Sequence, residues 1–358
     1  MTSSPASIDA LQDVVAGTSP APLRVAGGGT KRTAGGGRDD GDARVLDMRG
    51  LTGITAYDPA ECVVTALAGT PLALVADALA AHGQYLPWDP PGVRDQATMG
   101  GMVASGLSGP GRYRYGGIRD FVIGARLVDG RGRLITSGGQ VVKNAAGFLM
   151  HHALVGSAGR LGVIVEVSVK VFPRPEATCT LVARATSPAE ALAAHERLRR
   201  ADLDLDALDL DVGACAVLAR LGGAADPLAR RADRAAEALA LPVHVVAGHD
   251  EGQAWADAAP LGGPRDTNVI KVPATPSRLA ALLDRLSPLG ACRTSVGGAV
   301  VYLSGAQDLD AVDTALSAHG TTGMVVRGAA HGRSLGVAPA TAFLDRVVRT
   351  LDPDARFR

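Results

Sequence analysis

The chain has 358 residues, enough for two domains or one large domain with an insertion. Apolar residues make up 47% and charged residues 20%, so a substantial core is expected and disorder is not. Lys plus Arg and Asp plus Glu balance at 36 each and aromatics amount to 3%, which argues against nucleic acid or an anionic membrane as partner.

The N-terminal stretch MTSSPASIDALQDVV has neither a basic n-region nor an apolar h-region, so no signal peptide is expected. No run of roughly 18 apolar residues occurs, so no transmembrane segment is expected and the location reads as cytoplasmic. Leu23–Ala26 reads as a short strand running into Gly27, Gly28 and Gly29, and Glu61–Ala68 as a second strand. A helix is predicted over 71–82, with Thr70 as N-cap, Pro71 at the first helical position and Gly83 as the stop. Phe121–Val128 reads as a strand entering a hairpin turn at Asp129-Gly130. Over Leu161–Phe172, Val163, Val165, Val167, Val169 and Val171 alternate with Ile164, Glu166, Ser168 and Lys170, a period of two with one face buried. Pro173 and Pro175 then mark a domain boundary.

Beyond that boundary helices alternate with strands. Ser187 and Glu190 form a capping-box signature, and further helices are predicted over 227–240, 276–286, 309–319 and 339–351. Strands are predicted over 178–183, 243–247, 268–272, 299–304 and 323–327, giving helices on one face of a mixed sheet.

Three glycine-dense segments carry the chemistry: 24–31 (RVAGGGTK), 96–106 (QATMGGMVASG) and 138–166. Glycine reaches positive φ and lets N–H groups approach a ligand, and successive N–H groups make an anion nest. Three such segments point to a large phosphate-containing cofactor wrapped by several loops. A lone GGG also reads as a surface turn, and the first segment matches neither the GxGxxG nor the GxxxxGK[ST] fingerprint. The second reads equally as a turn packed closely on a helix.

Arg112, Arg114 and Arg119 interleave with Tyr113 and Tyr115, a pattern that steers an anion but more commonly is a solvated basic loop. His151 and His152 are adjacent, so they point to different sides of a helix and make poor joint metal ligands. Cys62, Cys179, Cys215 and Cys292 lie far apart without a CxxC pair, so no metal or iron–sulfur site is expected.

In order, GGGTK (27–31), ATMGG (97–101), ASG (104–106), RYGGIRDFVIGARLV (114–128), GGQVVKNAAGF (138–148) and VGSAGRLGVIVEVSVKV (155–171) resemble the FAD-binding domain of the vanillyl-alcohol oxidase/p-cresol methylhydroxylase (PCMH) superfamily. Within it, the likeness runs to the smaller flavin subunits of bacterial glycolate oxidases. The resemblance covers about Leu23 to Pro175 and resumes at Leu351-Asp352-Pro353, where the family's terminal element has Asn and this chain has Arg358. It implies an α+β fold: a PCMH-type FAD-binding domain of two α+β subdomains over 1–175, a smaller α+β cap over 176–345, and a segment 346–358 returning to the FAD domain.

By the same resemblance Gly27, Gly28, Gly29, Thr30 and Lys31 would cradle the FAD diphosphate, with Thr98, Gly100 and Gly101 on its other side. Ala104, Ser105 and Gly106 would lie beside the ribityl chain and ring, and Lys143, Asn144 and Gly147 along the flavin face. Gly159, Gly162, Val163 and Ile164 would present backbone to the adenine or the ring. Relatives that link FAD covalently place a His just after the glycines; Thr30 and Lys31 stand here, which implies non-covalent FAD. Phe148 stands where the likeness has a Tyr.

The family's catalytic subunits carry a His-rich metal motif and a His-x-Gly-Asp-Gly-Asn element, and neither is visible; His331 sits in AAHGRSLG. The resemblance thus implies a subunit that carries electrons through FAD in a 2-hydroxy-acid (glycolate) oxidoreductase. Its partners would be a larger flavin subunit and an iron–sulfur subunit, with any attachment at the inner membrane made through them. An autonomous FAD-dependent oxidase or dehydrogenase of an alcohol or hydroxy acid, and a non-catalytic assembly subunit, are the other readings.

Overall fold

The computed structural model describes residues 2–17, 19, 21–30, 43–139, 149–259, 261–264, 267–328, 330, 332–338 and 341–357. The chain forms two compact units: residues 1–108, 116–174 and 340–358 in the first, and 109–115 and 175–339 in the second. The short stretch 109–115 thus sits with the second unit, although it lies inside the N-terminal half of the sequence.

In the first unit, Ser7 caps a helix over Ile8–Ala16, its hydroxyl accepting from the Ala10 N–H. Leu23–Ala26 and Arg44–Asp47 pair in parallel, with Thr2–Ser3 on the far side of the latter. A separate antiparallel sheet runs in the order Ile54–Asp58, Val63–Leu67, Val163–Lys170, Val122–Val128, Leu134–Gly138. Val163–Lys170 lies at its centre, and Ile164 and Ser168 are buried along with the valines. The alternation therefore does not leave one face to solvent: only Glu166 and Lys170 are partly exposed, because a central strand is covered on both sides.

The hairpin connection is longer than a two-residue turn. Residues 129–133 join strands in which Val128 pairs with Leu134. Fully buried Asp129 holds this loop, accepting from the Arg131 and Arg133 N–H groups at 3.0 and 2.9 Å. Burial pushes the Asp129 carboxyl up, but the Arg133 side chain and these backbone donors hold it below its ordinary value.

The predicted helix after Thr70 forms over Leu72–Ala80, but Thr70 is not its cap. The Thr70 hydroxyl accepts from the Gly53 N–H at 2.9 Å and donates to the Gly53 carbonyl, locking an adjacent turn instead. The C-terminal segment returns to this unit. Leu23 donates to the Arg356 carbonyl at 2.6 Å, Phe357 bridges Leu23, and Phe357 joins the core of Leu11, Val15, Leu46 and Val163.

The second unit is built on nine antiparallel strands, not a mixed sheet, in the order Val243–Val246, Ala177–Arg184, Ala216–Gly223, Ala207–Asp211, Ala291–Ser295, Val300–Ser304, Val269–Pro273, Thr322–Arg327, Ser334–Gly336. Helices Pro188–Arg200, Ala225–Leu239, Leu279–Leu286 and Leu309–His319 bury Ala194, Leu198, Leu239, Leu283 and Leu316 in one core with Leu181, Leu210, Val272 and Leu303 of the sheet. Ser187 caps the first of these helices through the Glu190 N–H, while the Glu190 carboxylate reaches back to the Thr186 N–H. Not every helix lies on that face. Glu251 of Gly248–Asp257 accepts from Thr178 and Thr180, which alternate with the core residues Cys179 and Leu181.

Candidate functional site

Residues 27–30 leave the Leu23–Ala26 strand as a half-exposed loop, with Gly29 at φ +70°. Two of its glycines are dictated by the chain itself. A Cβ at Gly28 would sit 1.6 Å from the Gln96 carbonyl oxygen, and one at Gly27 would sit 2.5 Å from Thr98 Oγ1. The glycine loop is thus pressed backbone to backbone on the second glycine-rich segment. Among the described residues, no hydrogen bond takes the N–H of Gly27, Gly28 or Gly29. Those donors are available to a ligand rich in oxygen acceptors.

The segment 97–106 behaves differently. Thr98 caps the helix Met99–Ser105, its hydroxyl accepting from Gly101 N–H at 3.3 Å. Met99 N–H goes to the Thr70 carbonyl at 3.0 Å and Gly100 N–H to the Ala68 carbonyl at 2.8 Å. A Cβ at Gly100 would lie 2.7 Å from the Ala68 Cβ. So the N–H groups of Met99, Gly100 and Gly101 are spent inside the protein, and Gly100 is needed for close packing; the segment forms a rigid floor beneath the loop. At the other end of the helix Gly106 takes the left-handed conformation, φ +62°, and Ala104, Ser105 and Gly106 are partly exposed.

Residues 156–162 close the arrangement. Gly156 and Ala158 donate to the carbonyls of Val103 and Ala104 at 3.0 and 2.9 Å, covering the end of the Met99–Ser105 helix. A Cβ at Gly159 would meet Val25 at 3.5 Å, so this turn also touches the strand that leads into Gly27. Ala158 holds φ +52° and Gln96 +66°, backbone strain in two non-glycine residues flanking the loops. Among the described residues the buried Ser157 hydroxyl has no partner. Gly162 is needed because a Cβ would lie 2.8 Å from the Val128 carbonyl. Val163 and Ile164 are buried strand residues, and Val163 belongs to the core.

Three of the glycine-rich stretches, far apart in sequence, therefore meet on one unit: 27–30, 96–106 and 156–162. Lys31, Lys143, Asn144 and Gly147, singled out for the same site, lie outside the described residues, as does His331.

The other polar motifs resolve into separate roles. Arg114 is ion-paired with Asp204 and lies 3.4 Å from Asp206, which also accepts from Tyr115. Arg119 is exposed. The rings of His151 and His152 do not diverge but meet edge to face, with centroids 4.5 Å apart. They share a one-turn helix, Met150–Ala153, in which His151 is pinned by Ser137 through its N–H at 3.1 Å and its Nδ1 at 3.0 Å. Burial, reinforced by His152, holds His151 below the ordinary histidine value. No local sequence signal marks the Ser137–His151 contact, since it joins the end of a hairpin to a later turn. Among the described residues no group of His, Cys, Asp or Glu could hold a metal.

Comparison with known proteins agrees with this geometry. Residues 2–138 match the family described as FAD binding domain. Over 138 residues the chain is 49% identical to glycolate oxidase subunit GlcE of Escherichia coli (strain K12), covering 38% of this chain and 39% of that protein. It is 34% identical over 153 residues to a D-lactate dehydrogenase of Archaeoglobus fulgidus, covering 43% of this chain and 34% of that one. It is 33% identical over 156 residues to glycolate oxidase subunit GlcD of Bacillus subtilis (strain 168), covering 44% and 32%. The matched region thus spans under half the length of each of these relatives. Among solved structures, an alkyldihydroxyacetonephosphate synthase superposes with a TM-score of 0.69 at 17% identity, over 99% of this chain and 75% of that one. Residues 2–138 thus match a FAD binding domain, and the α+β architecture is that of the PCMH-type FAD-binding fold.

Proposed function

We propose that this chain is the FAD-carrying subunit of an oxidoreductase acting on a small 2-hydroxy acid such as glycolate. The observation that carries the reading is the half-exposed Gly27–Thr30 loop with unclaimed N–H donors, held on a floor whose own N–H groups are satisfied, inside a matched FAD binding domain. These residues suit a diphosphate: among the described residues the N–H groups of Gly27, Gly28 and Gly29 are unclaimed, and the buried Ser157 hydroxyl lacks a partner. Gly27, Gly28, Gly29 and Thr30, with Lys31, would hold the diphosphate over Thr98, Gly100 and Gly101. Ala104, Ser105, Gly106 and Gly159 would line the ribityl side, with Lys143, Asn144 and Gly147 along the flavin face. Gly162, Val163 and Ile164, at the start of the Val163–Lys170 strand, would present backbone to the adenine or the ring. Bound FAD supplies a two-electron acceptor for the substrate's carbinol carbon.

Thr30 follows Gly29, so no imidazole stands ready to link the flavin and the cofactor is held non-covalently. The chain has four dispersed cysteines, so an iron–sulfur centre in the same electron path belongs to a partner, and a larger flavin subunit is the second partner. The names of two relatives, each a glycolate oxidase subunit, support membership in a complex. No helix among the described residues is long and apolar enough to cross a membrane, and we place the chain in the cytoplasm.

The test begins with the absorbance spectrum of the purified chain, which should show flavin bands. A colourless protein that stays apo when mixed with FAD would point to an assembly role instead. Anaerobic mixing with glycolate or D-lactate then separates the remaining readings. Flavin that bleaches only after the larger subunit is added supports the carrier role, whereas rapid bleaching of the lone chain makes it an autonomous oxidoreductase.

A further inference from the structure

One cavity of the first unit lies outside the glycine-rich cradle. It measures about 260 Å³, and the residues lining it all belong to that unit. No glycine of 27–29, 100–106 or 156–162 lines it. Its walls are apolar: Ala76 of the helix Leu72–Ala80, Leu86, Pro90 and Val93, with Tyr85 beside them.

Local bonds hold these walls in place. Gln84–Tyr85 pairs antiparallel with Phe172–Pro173, and the Arg174 N–H donates to the Gly83 carbonyl at 2.7 Å. That pairing brings Arg174 to the cavity beside Tyr85, although the two are far apart in sequence. The loop from Leu86 to Val93 is anchored by Trp88, fully buried against Phe121 with ring centroids 4.6 Å apart. Asp89 N–H donates to the Leu86 carbonyl at 3.2 Å, and the Asp95 and Ala97 N–H groups donate to the Gly92 carbonyl at 3.0 and 3.3 Å. Asp89 itself holds φ +48°, an uncommon conformation for a non-glycine residue and one of the kind that clusters at ligand clamps. The cavity is therefore preformed.

Two opposite charges line it, Arg174 and Asp89. Among the described residues they are not paired with each other: the Arg174 guanidinium has no hydrogen bond or ion pair, while Asp89 has a partner of its own. A carboxylate has about four acceptor sites, so Asp89 keeps capacity beyond that partner. A cation and a carboxylate beside apolar walls match a small molecule that carries both charges at one end and a hydrocarbon body at the other.

We propose that this cavity receives an apolar α-amino acid of leucine's size, its carboxylate on Arg174, its ammonium on Asp89 and its side chain among Ala76, Leu86, Pro90 and Val93. A plain carboxylic acid would set a like charge against Asp89, and a plain amine would set one against Arg174; the zwitterion satisfies both. The volume falls just under the roughly 300–1,000 Å³ of pockets that take drug-sized ligands, which restricts the occupant to a small molecule. The site borders the FAD cradle without sharing it: next to Val93, a Cβ at Gly92 would lie 3.6 Å from Thr30. The proposal does not rest on the functional reading above.

The test is isothermal titration of the full-length protein with L-leucine, with 4-methylpentanoate, which lacks the ammonium, and with 3-methylbutylamine, which lacks the carboxylate. L-leucine should bind the wild type about tenfold or more tightly than either analogue. Arg174→Gln and Asp89→Asn should each weaken it about tenfold or more, and Ala76→Phe, which fills the cavity, should abolish it. Asn tolerates positive φ, so Asp89→Asn removes the charge without adding backbone strain. Thermal melts establish that each variant is folded, and the exposed Arg174→Gln carries the test should another variant not fold. Absence of leucine binding by folded wild type, equal binding of either analogue, or undiminished binding by a folded variant would overturn the proposal. The heat signal needs no flavin, so a colourless protein that still binds leucine would remove the FAD reading and leave the amino-acid site standing.

Discussion

Replacement of Gly28 by Ala separates two reasons for a glycine at that position. A ligand-only argument says the added methyl obstructs a diphosphate and leaves the empty protein unaffected. The structure puts that methyl 1.6 Å from the Gln96 carbonyl oxygen and 2.7 Å from its carbon. Backbone atoms meet backbone atoms, so no side-chain rotation relieves the overlap. Either the 27–30 loop or the 96–98 segment must move, and the latter is held by Leu72 N–H on the Ala97 carbonyl at 2.7 Å and by the Thr98 cap. Overpacking of this kind costs about 1–3 kcal/mol. For a unit of this size each kcal/mol lowers Tm by about 2–4 °C. The assay is urea and thermal unfolding of flavin-free wild type and Gly28→Ala, followed by FAD titration of both. The flavin-free variant should melt lower and also bind FAD more weakly. An unchanged flavin-free Tm with lost FAD binding would refute the packing argument and return Gly28 to a ligand-space role.

His195 is buried with both ring nitrogens unpartnered among the described residues, and burial lowers it from 6.5 to about 4. Folding therefore excludes a proton between these values: the stability is fully present above pH 6.5 and is lost as pH falls toward 4, by up to about 3 kcal/mol. His195→Phe should flatten that slope in urea midpoints measured from pH 7 to 4, and an equal slope in the variant would assign acid sensitivity elsewhere. Asp352 accepts the Arg356 and Phe357 N–H groups at 2.7 and 2.9 Å and is buried, so Asp352→Ala should cost about 1–3 kcal/mol and speed hydrogen exchange at Leu23, whose N–H bonds Arg356. Flavin should separate from the polypeptide on acid precipitation, and yellow colour remaining with the pellet would contradict non-covalent binding.

The local elements were legible because their signals are local. The helix Leu309–His319 and the strand Leu23–Ala26 coincide with their apolar patterns, and Ser187 caps its helix as the Ser187/Glu190 spacing implies. The glycine-rich stretches themselves, and their likeness to a FAD-binding domain, are also properties of the linear chain. Strands Ala207–Asp211 and Ala291–Ser295 escaped notice because Asp209, Asp211 and Arg293 break the apolar pattern; in the sheet Asp209 accepts from the Ser295 hydroxyl and pairs with Arg293 across strands. Thr70 looks like a cap by sequence and is drawn instead to Gly53, a partner 17 residues away. Spacing also did not show that Gly100 packs closely on Ala68 or Gly162 on the Val128 carbonyl. Caps and periodicity depend on neighbours a few positions away, which the chain states outright. The meeting of 27–30 with 96–98, and of Asp209 with Arg293, depends on long-range register and close approach, which exist only once the sheets have formed.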